Sequence, residues 1–260
     1  LALDPVPQRP ELRRRLRPRQ ADLVDALDAP YSTIHSLVEK GLVERTEERV
    51  HRSPLSDLPP PGEPPNHTLH PAQQEALEAL EAKIADAAYH TFLLHGITGS
   101  GKTEVYIAAL KQVVEAGRSA IILVPEIALT PQTVQRFRAH VGDTVAVLHS
   151  QMSAGERFDT WQALRDGRKR IVIGPRSAVL APLDNLGLIV VDEEHEASYK
   201  QFDPAPRYHA RDVAVMRAHM NDAVCVLGSA TPSLESTMNA RRGKYTHLSM
   251  PERVPTAQGT

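Results

Sequence analysis

Cysteine is almost missing from this chain: Cys225 is the only one. A single thiol excludes a disulfide framework within the chain and any zinc site built from several cysteines, and it suits a reducing compartment. Aromatic residues are sparse, 4% with a single tryptophan, so a local cluster of rings carries information. No apolar run approaches the roughly 18 residues of a membrane span, and no leader-like segment opens the chain. The expectation is therefore no membrane partner and a cytoplasmic location. Charge is balanced, with 30 lysines and arginines against 32 aspartates and glutamates, a formal net charge of −2. Any nucleic-acid site must then be a local basic patch. The remainder is ordinary for a globular protein: 41% hydrophobic and 24% charged residues over 260 positions, enough for one or two domains with a buried core.

Proline marks the organisation. Pro54, Pro59, Pro60, Pro61, Pro64 and Pro65 crowd together with Gly62, as in an extended linker over 54–66. It separates a small unit at 1–53 from a larger one at 67–250, which a polar tail at 251–260 follows. In the small unit, Leu23, Val24 and Leu27 give a short amphipathic helix, and Ile34, Leu37 and Val38 give a second that ends at Gly41. Residues 42–45 and 49–52 read as two short strands around a polar turn. Helices followed by a β-ribbon predict a winged helix (α+β) with Tyr31 to Lys40 as its candidate recognition helix. A small packing module that touches no nucleic acid is the alternative. The five arginines between Arg13 and Arg19 are either a basic contact or a solvated charged face.

The larger unit alternates strand and helix. Short β-branched or apolar runs at 91–95, 120–124, 145–149, 171–174, 187–192 and 223–227 read as buried strands. Helix-like stretches at 105–116, 130–140 and 154–165 lie between some of them. This is an α/β pattern with a mostly parallel sheet, whose ligands sit at the carboxyl ends of strands. At the end of the first run stands Gly96-Ile97-Thr98-Gly99-Ser100-Gly101-Lys102-Thr103, the G-x-x-x-x-G-K-T pattern of a phosphate-binding P-loop. Its glycines let several N–H groups converge on one phosphate chain. Lys102 adds a positive charge for the β and γ phosphates, Thr103 offers a hydroxyl to Mg²⁺, and the next helix turns its N-terminal end toward the anion. A chance glycine-rich turn is the bland alternative.

A partner carboxylate is expected at the end of another buried strand, and Asp192-Glu193-Glu194-His195 follows the run at 187–192. Asp192 is the candidate Mg²⁺ group, and Glu193 the candidate base for the attacking water. A P-loop kinase or a transporter ATPase is a further alternative, but a kinase needs no hydrolytic glutamate there. A third segment, Ser229-Ala230-Thr231, follows the last of these strands, where small hydroxyl residues are placed to relay the γ-phosphate state together with Glu194 and His195. By itself S-A-T is a weak signal.

These three segments, in this order, resemble motifs I, II and III of superfamily 2 DEAH-box-like helicases. Further segments narrow the match: 124–133, 148–150, 173–178, 198–201 and 207–212 resemble the primosomal replication-restart helicase family. The resemblance runs from about Leu69 to Met250, and residues 1–53 resemble part of that family's winged helix. It implies a RecA-like P-loop lobe in a 3′→5′ DNA helicase that hydrolyses ATP with Mg²⁺, binds abandoned or stalled forks and initiates primosome assembly. Forked and single-stranded DNA, primosome proteins and single-stranded DNA-binding protein are the implied partners of a nucleoid-associated monomer. Zinc is implied for the parent protein but not for this chain.

Residue by residue, Gln73 stands where the family places an adenine-reading glutamine, although Gln74 is adjacent and the assignment shifts by one if the register slips. Thr130, Arg176 and Ser177 sit on loops placed for the DNA backbone; family members often carry threonine where this chain has Pro175. Tyr199, Lys200, Phe202, Arg207 and Tyr208 match the family's aromatic-rich loop, which couples DNA binding to hydrolysis. Stacking of bases on such rings and backbone contacts to the two cations are expected. A tryptophan found there in some members is absent, and a Pro-Ala-Pro run stands instead, so the alternative is that the rings cover an apolar surface. The chain ends soon after motif III. The expectation is therefore a piece of a longer protein, lacking a second lobe, its arginine finger and an eight-cysteine zinc module, and hydrolysing ATP weakly or not at all alone. A reading from another class is a non-catalytic DNA-binding and assembly module that uses the P-loop as a switch.

Overall fold

The computed structural model describes Asp28 and residues 30–43, 59–62 and 68–254. The chain divides into two compact units, Leu1–Val50 and His51–Thr260. In the first, helix α1 (Tyr31–Glu39) buries Ile34 and closes where expected. Gly41 has φ +70°, which lets its N–H bond the carbonyl of Val38 while the Leu42 N–H bonds that of Leu37, both at 3.0 Å. This pair of bonds satisfies carbonyls that the helix end leaves open. The arginines at 13–19, the helix at 20–27 and most of both expected wing strands lie outside the described residues.

Among its described residues the second unit is built on seven strands, all parallel: β1 (His90–Gly96), β2 (Ser119–Leu123), β3 (Val145–Val147), β4 (Ile171–Gly174), β5 (Leu186–Val191), β6 (Val224–Ser229) and β7 (Thr246–Met250). Their order across the sheet is β3-β4-β2-β5-β6-β1-β7. Every residue of β2, β5 and β6 is buried, as the apolar runs predict for strands covered on both faces. Alternation decides which face each residue serves. Phe92, Leu94, Ile122 and Val190 pack on one side with helices α2 (Pro71–Ala85), α3 (Lys102–Glu115) and α4 (Pro131–Val141). Leu93, Ile121, Ile189 and Val191 pack on the other with Leu164 of α5 (Ala154–Arg165) and with α6 (Ala210–Met220). On α6, Ala210, Ala214 and Ala218 recur every four residues with no exposure, so the helix axis can lie close to the sheet. A short helix α7 (Leu234–Arg241) leads to β7.

Helices α2, α6 and α7 and strand β7 add to the elements named from the sequence. Among the described residues β7 pairs only with β1, and it keeps mostly exposed side chains, so Thr-His-Leu-Ser-Met carries no continuous apolar signal. Within the proline-rich stretch, the carbonyl of Pro59 accepts from Gln135 Nε2 at 2.8 Å, which ties that point to α4.

At the end of β4 there is no room for a side chain. A Cβ on Gly174 would lie 2.7 Å from the Leu148 carbonyl and 3.0 Å from Ala178 Cβ. Gly174→Ala should lower stability by about 1–3 kcal/mol, as overpacking does, and a denaturant titration reads this directly.

Candidate active site

Strands β5, β6 and β1 are neighbours, so the loops leaving their carboxyl ends meet. Those loops carry Asp192–His195, Ser229–Thr231 and Gly96–Thr103, and the sheet order brings the three segments into one cluster. Gly99 and Gly101 hold φ of +83° and +79°, a region that strains residues with a Cβ. Gly96 is closed in a different way, since a Cβ there would stand 2.5 Å from Ser100 Oγ. That hydroxyl is buried with no partner among the described residues. Beneath the loop, Lys102 is 8% exposed; its Nζ donates to the Gly96 carbonyl at 2.8 Å and lies 3.8 Å from Glu193 Oε1. Ile97 and Thr98 complete the curl, closed by the Ser100 N–H on the Ile97 carbonyl at 3.0 Å.

From Lys102 a polar chain runs to the third segment. Glu193 Oε2 lies 3.7 Å from His195 Nδ1, and that nitrogen shares a 2.8 Å hydrogen bond with Ser229 Oγ. Ser229 Oγ accepts from the Thr231 N–H at 2.9 Å across Ala230. Glu193 has φ +48°, unusual for a residue with a Cβ, and this is the kind of local strain held where a side chain must be aimed.

Asp192 sits at the floor. With Thr103, Gln132, Thr133 and Arg136 it lines a cavity of about 230 Å³. Burial, then repulsion from Glu193, push its carboxyl from an ordinary 3.8 up to about 6, against the pull of Lys102. A residue that no motif marks also touches it: Tyr106, on α3 and 1% exposed, donates its phenol to Asp192 Oδ1 at 3.1 Å. Gly228 makes this possible, because a Cβ there would overlap the Tyr106 hydroxyl. The sequence signal was slight: a tyrosine one helical turn after Lys102, opposite a glycine preceding Ser229.

Glu194 faces the other way, into the protein, and has no exposure. Its carboxylate accepts from the Ser233 N–H at 2.7 Å, Ser233 Oγ at 3.0 Å, Ser236 Oγ at 2.9 Å and Arg211 Nη1 at 3.2 Å. Arg211, Ser233 and Ser236 were not anticipated. The family resemblance placed Arg211 within a matching segment without assigning it a partner.

Gln73 is buried, and both ends of its amide bond within the chain. Oε1 accepts from the His70 N–H at 2.8 Å, and Nε2 donates to the Ser100 and Gly101 carbonyls at 3.0 and 3.4 Å. Gln74 instead points outward, to Glu78. Thr130 Oγ caps α4 by accepting from the Thr133 N–H at 3.2 Å. Arg176 Nη1 donates to the carbonyls of Ser198 and Lys200 at 3.2 and 2.9 Å, holding the start of the aromatic loop, and Ser177 is half-buried beside it. The stacking role expected for Tyr199 is corrected: the ring has no exposure, and its hydroxyl donates to the Asp192 carbonyl at 2.7 Å. A phenol that packs in the core and satisfies a backbone acceptor there cannot also offer a face to a base. Phe202 is 69% exposed with Lys200 Nζ 5.9 Å from its ring centre, Arg207 is exposed and Tyr208 half-buried.

Two outcomes are expected. The Asp192 carboxyl holds its proton more tightly folded than unfolded. Between about pH 4 and 6 the unfolded chain therefore binds fewer protons, and stability falls as pH rises through that window. Asp192→Asn should raise stability at pH 7.5 by roughly 2–3 kcal/mol, a gain that shrinks by pH 5 in thermal melts taken across pH. Glu194→Ala removes the buried counter-charge of Arg211, which keeps Asp212 and Ser233 as partners, and takes the acceptor from three hydroxyl or amide donors; it should cost about 3–5 kcal/mol by equilibrium unfolding.

A family model described as DEAD/DEAH box helicase matches residues 70–240. "Replication restart protein PriA" of Bacillus subtilis (strain 168) is 45% identical over 234 residues, 90% of this chain and 29% of that protein. The protein of the same name from Synechocystis is 46% identical over 241 residues, 90% of this chain and 28% of its own length. The chain thus spans under a third of these curated relatives. Among solved structures, "Structure of RecG bound to three-way DNA junction" shares the fold with TM-score 0.55 and 24% identity, covering 75% of this chain and 25% of that one. A hypothetical ATP-dependent RNA helicase from Sulfolobus tokodaii does so with TM-score 0.51 and 17% identity, covering 71% and 53%. With the segments at 96–103, 192–195 and 229–231 all inside the matched residues, the chain belongs to the DEAD/DEAH box helicase family.

Proposed function

We propose that this chain is the nucleotide-binding lobe of an ATP-driven 3′→5′ DNA helicase that acts at abandoned or stalled replication forks and initiates replication restart. The observation that carries the reading is the polar chain from Lys102 through Glu193 and His195 to Ser229 and Thr231, which links a phosphate cradle to a loop on the next strand. The similarity to replication restart proteins, at about 45% identity over most of this chain, supplies the biological setting.

The residues fit a nucleoside triphosphate with Mg²⁺. Gly96 leaves a cradle that a side chain would fill, and Ser100 Oγ is a buried hydroxyl without a partner among the described residues. Thr103 and Asp192, on the wall of one cavity, would hold Mg²⁺, which supplies charge neutralisation at the phosphates. One carboxylate and one hydroxyl suffice when phosphates and water complete the shell, so no cluster of several acidic or histidine ligands is required. Lys102 would exchange the Gly96 carbonyl for phosphate oxygens. Glu193, released from Lys102 by that exchange, would accept a proton from the attacking water. His195 would then pass the change at Glu193 to Ser229.

Toward DNA, the reading assigns Phe202, Lys200 and Arg207, the exposed members of the aromatic loop, to the base and phosphate contacts. Arg176 supports that loop through the Ser198 and Lys200 carbonyls. Forked and single-stranded DNA, primosome proteins and single-stranded DNA-binding protein are the proposed partners of the whole protein, and the cytoplasm, near the nucleoid, its proposed location.

The test compares the full-length protein with its Lys102→Ala variant. Hydrolysis of ATP stimulated by single-stranded DNA is expected in the first and a loss of at least about 100-fold in the second, with fork binding retained. Fork binding without any turnover in the unsubstituted protein would leave a DNA-binding assembly module instead.

A further inference from the structure

The chain does not leave the P-loop when β7 ends. The Met250 carbonyl accepts from the Ile97 N–H at 3.3 Å, and four residues later the Val254 N–H donates to the Gly99 carbonyl at 3.0 Å. Residues 251–254 therefore form a short strap fastened at both ends to the loop that would cradle phosphate. The strap lies where Gly99 and Gly101 have no side chains. A Cβ on Gly99 would stand 3.8 and 3.9 Å from Arg253 Cγ and Cδ, and one on Gly101 would stand 3.3 Å from Val254 Cγ2.

Arg253 is exposed, and no carboxylate or carbonyl among the described residues engages its guanidinium. Its stem crosses the loop at Gly99 while its charge is left unpaired. Lys102 reaches the same loop from beneath and is buried. The exposed side thus carries a second cation that belongs to none of the three motifs. Backbone N–H groups of a P-loop act together with nearby cations because phosphate oxygens offer more acceptor positions than one lysine fills. A guanidinium also suits paired phosphate oxygens better than an ammonium does.

The geometry points to Arg253 as a further nucleotide-binding residue, which pairs with the phosphates of a nucleotide in the Gly96–Thr103 cradle. The inference rests on the nucleotide reading above and adds to it a contact from outside the motifs. It also gives the strap a function: a bound nucleotide would draw together the loop and the chain that continues beyond β7.

The experiment titrates a fluorescent ADP analogue into this chain, its Arg253→Ala and Arg253→Lys variants and Lys102→Ala, at low and high salt. Arg253→Ala should weaken binding by about fivefold to tenfold at low salt, with an unchanged melting midpoint. Arg253→Lys should recover part of the loss because it restores the charge but not the fork. The deficit should narrow as salt rises, since an exposed charge pair is screened. Unaltered binding by Arg253→Ala, with Lys102→Ala weakened, would overturn the role of Arg253 and leave the nucleotide site standing. A deficit independent of salt would overturn the phosphate pairing. Failure of the unsubstituted chain to bind would remove the nucleotide reading itself and this contact with it.

Discussion

Removing a carboxylate from water costs several kcal/mol unless donors replace the water. Glu194 meets that condition with the Arg211 guanidinium, two serine hydroxyls and one backbone N–H, contributed by α6 and by the capped start of α7. The arrangement is specific because a side chain too short to reach them would take from Ser236 Oγ and the Ser233 N–H the acceptor that holds them, and from Arg211 its buried counter-charge. It also fixes direction. With Glu194 held inward and its own N–H bonded to the Gly228 carbonyl at 3.0 Å, the flanking Glu193 is turned outward in left-handed backbone toward Lys102. The second and third loops of the site are aligned by this one buried anion. Arg211 lies two residues after His209, which pairs with Lys200 across the aromatic loop.

The rest of the cluster is arranged at the expense of the free protein's stability. Burial and the neighbouring Glu193 disfavour the Asp192 carboxylate, and Lys102, the Tyr106 phenol and the Glu193 N–H oppose them only in part. Ser100 Oγ is left unsatisfied, and Glu193 occupies strained backbone. Each of these is unfavourable alone, and under the proposed function a divalent cation would offset the repulsion at Asp192 while a phosphate oxygen would give Ser100 Oγ a partner.

Much of this was legible in the chain. The glycine spacing at 96–101, the lysine and threonine after it, and an acidic run after Val190-Val191 each impose a local chemistry that does not depend on distant contacts. The buried strands were visible for the same reason: residues covered on both faces must be apolar throughout. Other elements left no such mark. β7 has one bonded neighbour and exposed side chains, and therefore a mixed composition. Tyr199 looked like a stacking ring because it lies among Lys200, Phe202 and Arg207, yet a tyrosine in sequence does not reveal which way its backbone turns it. Turned inward, it bonds the Asp192 carbonyl.

The sequence by itself determined the class of chemistry and the α/β character, since phosphate cradles and doubly covered strands are properties of short segments. Tertiary structure alone decided which side chains meet. Sheet order set β5, β6 and β1 side by side and so brought residues from 96 to 231 within hydrogen-bond reach. It placed Tyr106 on Asp192 through the space that Gly228 leaves, gave Glu194 its donors from α6 and α7, and laid Arg253 along the P-loop. The physical reason is that such contacts depend on distances across the sheet, and no spacing along the chain encodes them.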